Sequence, residues 1–152
     1  MEFLAEDMGR CAMLRITDKE VKFNRVTPQS IGKLEIAVVG KAKVVVVHGA
    51  ESTSDELLDA VRNAWVLVVD GNISEEFLAA AHPYVTIVQS GESRVKSEEF
   101  EKFSRGWNVR NEEKGTNEQR KCLVIGRDAS SVEVIFGESR ENPIGLLSIE
   151  CK

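Results

Sequence analysis

No two cysteines in this chain have the spacing of a metal site or a redox motif. The three present, Cys11, Cys122 and Cys151, are far apart and odd in number. A disulfide framework is therefore not expected, and a reducing compartment is the simpler setting. Long apolar runs are missing too. No stretch approaches the roughly 18 apolar residues that a membrane helix needs, and "MEFLAEDMGR" carries acids where a secretory signal would be apolar. There is no run of basic residues, and the net charge is −5. That balance weighs against nucleic acid and anionic membranes, both of which call for a surplus of Lys and Arg. These absences lead to the expectation of a cytoplasmic protein with no membrane or nucleic-acid partner.

Chemical signatures are equally scarce. The glycines form neither GxGxxG nor GxxxxGK[ST], so no nucleotide fingerprint is present. "HGAES" lacks the GxSxG elbow of a serine nucleophile. Nothing names a catalytic residue, a cofactor or a metal.

What the chain does have is enough apolar content, 42% of 152 residues, to build one core. Residues 11–26 alternate: Leu14 and Ile16 face one way, Met13, Arg15 and Thr17 the other, as in a hairpin with one wet face. Thr27 followed by Pro28 reads as a helix start, and Ile31, Leu34 and Val38 share a helical face up to Gly40. The cap chemistry predicts a helix over 28–39, although Leu34, Ile36 and Val38 also alternate as a strand would.

The centre is clearer. Val44–Val47 is unbroken, so both faces of that strand are covered, by helices or by a second sheet. Each buried valine stabilises by roughly 1.5–3 kcal/mol before chain entropy is counted. Helix patterns follow, with capping-box spacing at Thr53/Glu56 and Asn72/Glu75. "WVLVVDG" and "YVTIVQSG" are further strands, and "SRVKSEEFEKFS" reads as a third helix. Residues 106–119 show no periodicity and read as a mobile loop anchored by Trp107. Residues 120–152 return to strands, with Cys122 in the core and Cys151 exposed at the end. The stretch "DELLDAVRNAWVLVVDGNISEEFLAAAHPYVTIVQSGES" resembles the opening of the D-isomer-specific 2-hydroxyacid dehydrogenases. The resemblance implies a flavodoxin-like arrangement. It implies no activity, because the family's dinucleotide and catalytic Arg, Glu and His motifs have no counterpart in this chain.

The expectation is one α/β domain of flavodoxin-like or Rossmann-like βαβαβα type over 43–105. A parallel sheet of three or four strands is flanked by helices, with antiparallel strands from 11–26 and 120–150. In such sheets ligands bind beyond the carboxyl ends of the strands. The polar side chains on that edge are His48, Ser52, Thr53, Asp70, Asn72, Ser90 and Ser93. Helix N-termini behind them would favour a small anion. The same glycines and hydroxyls also serve as ordinary turn and cap residues. His48 is the sharpest candidate, and His82, before Pro83, reads as a C-terminal helix-dipole partner. Three functions follow from these features. The first is a small binding or regulatory domain that holds a small anionic ligand. The second is an interaction module that forms a homo-oligomer through edge strands. The third is an enzyme with His48 as base and Asp70 as its orienter.

Overall fold

The computed structural model describes residues 12–24, 26–39, 42–48, 55–70, 74–89, 102, 105–111, 114–120, 122–137 and 146–152. Among them are twelve strands and two helices. The strands are β1 (Ala12–Thr17), β2 (Val21–Asn24), β3 (Gln29–Ile31), β4 (Leu34–Val39), β5 (Ala42–His48), β6 (Val66–Asp70) and β7 (Val85–Val88). They continue with β8 (Trp107–Asn111), β9 (Thr116–Arg120), β10 (Cys122–Val124), β11 (Ser131–Gly137) and β12 (Leu146–Cys151). The helices are α1 (Asp55–Val61) and α2 (Glu75–Ala81). None of the described helices is long and apolar enough to cross a membrane.

The strands form two six-stranded sheets. The central sheet has the order β10-β7-β6-β5-β4-β3, with β10, β7, β6 and β5 parallel and β4 and β3 antiparallel. The outer sheet has the order β2-β1-β11-β12-β8-β9 and is antiparallel except where β12 meets β8. Alternation along the valine strands sorts their side chains to two faces. Val44, Val46, Val66, Val68, Val85 and Ile87 face the outer sheet and meet Leu14, Ile16, Val132, Val134 and Ile149. Val45, Val47, Leu67, Val69 and Val88 face the other way, onto Val61 of α1 and Phe77, Leu78 and Ala81 of α2. The layers are thus helices, central sheet and outer sheet.

This overturns the flavodoxin-like and Rossmann-like reading. Those folds put helices on both faces of the parallel sheet, whereas here a whole second sheet covers one face. An unbroken apolar strand requires two covered faces but is indifferent to what covers them. The helix predicted over 28–39 is also wrong: β3 and β4 form a hairpin, with Ile31 paired to Leu34 across Gly32–Lys33. Gly32 has φ +59° and Lys33 does not share the positive φ, the pattern of a type II′ turn with glycine in first place. The alternation of Leu34, Ile36 and Val38 outweighed the Thr-Pro start, because β4 gains a full antiparallel ladder against β5. The third helix expected over 93–104 lies almost wholly outside the described residues, as do Gly40, Gly49, Gly71 and Gly91.

The segment expected to be a mobile loop is mostly a hairpin, β8 paired antiparallel with β9. It looks polar because β9 is the sheet's edge and Val109 is the one residue of β8 buried in the inter-sheet core. Trp107 packs against that core and against Tyr84 (ring centroids 5.0 Å) and Trp65 (6.4 Å). The Arg105 guanidinium lies 3.7 Å over the Tyr84 ring. This aromatic cluster plugs the amino end of the parallel strands.

Cys151 is buried at 4% exposure rather than exposed. Nearness to the chain end misleads, because the register sets Cys151 opposite Val132 and Asn111 inside the outer sheet. Burial, with the charge of Asp128, pushes its thiol up to about 11. The native state therefore holds this proton more tightly than the unfolded chain. Its contribution to stability is complete below pH 9.0 and falls as pH rises from there toward about 11. In a Cys11→Ser background both remaining thiols are buried. Labelling with a thiol reagent at pH 8 should then follow global unfolding, with a rate that climbs in step with denaturant-induced unfolding.

Candidate functional site

Three of the four parallel strands of the central sheet run into a polar residue: "VVVVH" and "VLVVD" end β5 and β6 on His48 and Asp70, and "VTIVQ" carries β7 on to Gln89. His48 and Asp70 are register partners across β5 and β6. The Gln89 N–H donates to Val69 O at 2.9 Å, which carries the ladder one step past β7. Strand alternation puts all three on the face shared by Val46, Val68 and Ile87, where the outer sheet's cover ends. A fourth residue joins from β4. Glu35 stands opposite Val46, so its side chain shares that face.

The geometry is close. His48 Nε2 lies 3.1 Å from Glu35 Oε1 and donates to it. On the other side, Nδ1 lies 3.9 Å from Asp70 Oδ2, too far for a direct hydrogen bond. The imidazole is thus held between two carboxylates, all three side chains being partly exposed. Gln89 differs from them. It is 5% exposed, and its Oε1 is fully buried with no hydrogen-bond partner among the described residues.

Of the residues expected on this edge, the structure brings His48 and Asp70 together. Ser52, Thr53, Asn72, Ser90 and Ser93 lie outside the described residues. Glu35 was missed because residues 28–39 read as a helix. Gln89 was missed although it occupies the same strand-ending place as His48 and Asp70, a signal legible in the three quoted runs. The helix behind β6 is capped by Ser74, whose Oγ accepts from the Phe77 N–H at 3.3 Å. His82 closes that helix through its backbone, in a left-handed conformation with its N–H donating to Leu78 O.

The charges on this edge are mainly negative. Both helices open on paired acids, Asp55 and Glu56 in α1 and Glu75 and Glu76 in α2. Those carboxylates already occupy the positive dipole ends, and each helix has only seven residues. With Glu35 and Asp70, this edge is rich in acceptors. Among the described residues no group of three or more His, Cys, Asp or Glu side chains is arranged to hold a metal ion. The chain matches no protein-family model, no curated protein and no solved structure.

Proposed function

We propose that this chain is a small-ligand-binding domain. Its site is the carboxyl edge of β5, β6 and β7, and its ligand presents hydrogen-bond donors, as an amine, guanidine or amide does. The observation that carries the reading is Gln89 Oε1, a buried acceptor without a donor, in line with His48 and Asp70. A buried, unpaired acceptor costs about 1–3 kcal/mol, and such a cost is tolerated where a ligand supplies the missing partner. The gap between His48 Nδ1 and Asp70 Oδ2, 3.9 Å, suits one donor group placed beside both. The surrounding carboxylates favour a cation electrostatically. A binding role fits better than catalysis, because both ring nitrogens of His48 face carboxylates rather than an open reaction space.

A thermal-shift panel of agmatine, putrescine, ethanolamine, acetamide, phosphate and citrate tests this. Binding to the native state raises the melting temperature by mass action. The donor-bearing probes are expected to do so, and Asp70→Asn and Gln89→Leu to abolish the rise. Stabilisation by phosphate or citrate alone, or stabilisation that survives both substitutions, would overturn the reading. Gln89→Leu has a second signature. Without any ligand it should stabilise the chain by about 1 kcal/mol, by replacing an unpaired buried oxygen with an apolar group. Urea or thermal unfolding of the unliganded variant measures it.

A further inference from the structure

A concave site lies on the face of the outer sheet turned away from the central sheet, apart from the carboxyl-edge cluster. It is a groove of about 550 Å³ over β12, β8 and β9, whose side-chain lining is chiefly Asn108, Arg110, Asn117, Gln119 and Glu150. Trp107 and Ile149 contribute to its floor while packing into the inter-sheet core. We propose that this groove binds a neutral polyhydroxylated ligand, of the chemical class of a mono- or disaccharide.

The register lays the polar groups out as a grid. Asn108 stands opposite Gln119, Arg110 opposite Asn117, and Glu150 opposite Arg110. Side chains directly opposite one another are about 5 Å apart, and same-face neighbours along a strand about 7 Å. Vicinal and ring-spanning hydroxyls of a sugar are separated on the same scale. Each grid point ends in a planar group with two or more hydrogen-bonding atoms. The amides both donate and accept, the guanidinium donates and the carboxylate accepts. A hydroxyl, which does both, can be satisfied at every point.

Two further observations narrow the ligand. Among the described residues no hydrogen bond or ion pair engages any of these five side chains, whereas Glu118 and Arg120 on the hairpin's other face are paired at 2.9 Å. The groove's polar groups are therefore free to meet a ligand. Its charges also cancel, Arg110 beside Glu150, which removes the attraction that an anionic or cationic ligand would need. The volume lies within the usual range of small-molecule sites, roughly 300–1,000 Å³.

The experiment is an amide-detected NMR titration of the full chain with glucose, galactose, mannose, N-acetylglucosamine, maltose, cellobiose and lactose. Titration to about 50 mM brings weak, millimolar binding near saturation. At least one sugar is expected to give saturable shifts in the side-chain amides of Asn108, Asn117 and Gln119 and in the backbone of β8 and β9. Asn108→Ala with Gln119→Ala should weaken that binding about tenfold, the effect of losing two net hydrogen bonds. Both positions are exposed. Should the double variant fail to fold, the isosteric Gln119→Glu replaces it and should weaken the same sugar by removing an amide donor. The proposal is overturned if no sugar gives a saturable shift, if the shifts map elsewhere, or if the substituted chain binds equally well.

Discussion

Phe77→Ala should lower the unfolding free energy by about 3–5 kcal/mol, the largest loss expected of any single truncation among the described residues. Phe77 is fully buried and is the largest of the fully buried side chains among the described residues. It joins α2 to the face of the central sheet formed by Leu67, Val69 and Val88. α2 has only seven residues, far short of the roughly 12–15 that an isolated helix needs to be even marginal in water. Its helicity therefore comes from docking, and Phe77 is the largest of its three buried side chains, with Leu78 and Ala81. Removing it leaves a cavity that a β-sheet floor cannot easily collapse to fill. For a chain of this size the loss corresponds to a fall in melting temperature of roughly 6–20 °C. Differential scanning calorimetry on the two proteins measures it. A fall below about 3 °C would mean that Phe77 does not hold α2 in place.

Asp128→Ala is the second large effect, a loss of about 3 kcal/mol. The Asp128 carboxylate, 12% exposed, accepts from the Val124 N–H at 2.9 Å and from Arg127 at 3.0 Å, and pairs with Arg120 at 3.4 Å. Arg120 belongs to the edge strand of the outer sheet, and Val124 to the edge strand of the central sheet. One carboxylate thus clasps the two sheets at their shared margin, and alanine leaves a partly buried N–H and a guanidinium without it. Burial alone would raise the Asp128 carboxyl. The hydrogen bonds from Arg127 and Val124, and the charges of Arg127 and Arg120, outweigh it and hold the group below the ordinary 3.8. A depressed carboxyl means that the unfolded chain binds the proton more readily. The stabilisation is therefore complete above pH 3.8 and is lost as pH falls through the lower native value. Denaturant titrations between pH 6 and pH 2 should show this acid loss in the wild type and a flatter profile in Asp128→Ala. Asp128→Asn keeps an acceptor for Val124 and should lie between the two in stability.

What could be read from the residues was local. Val44–Val47 announces a strand covered on both sides, and Leu14 and Ile16 announce an inward face, because side-chain alternation is a property of one strand by itself. The nature of the cover is a property of distant segments, and no periodicity records it. The hairpin of β8 and β9 was illegible for a related reason. An edge pair needs few inward apolar residues, so "WNVRN" and "TNEQR" have the composition of a loop. The Thr27–Pro28 start was a true local signal that lost to the ladder between β4 and β5, a contact invisible to cap chemistry. That error carried Glu35 with it, since its place beside His48 exists only once β4 is a strand. The pairing of His48 with Asp70 was more accessible, because each ends a buried run and adjacent parallel strands bring their ends together.

The path of the chain through the two sheets sets how the molecule must assemble. Strands β1 and β2 belong to the outer sheet, β3–β7 to the central one, β8 and β9 to the outer, β10 to the central, and β11 and β12 again to the outer. Leu14 of β1 pairs with Val134 of β11, across all the intervening strands in sequence. The outer sheet is therefore complete only once β11 and β12 have joined β1 and β2, and until then the valine strands lack part of the cover on that face. Pairings so distant in sequence make folding slow. Until then the exposed sheet faces invite self-association, so production in cells should depend on chaperone capacity more than on the final stability of the native state.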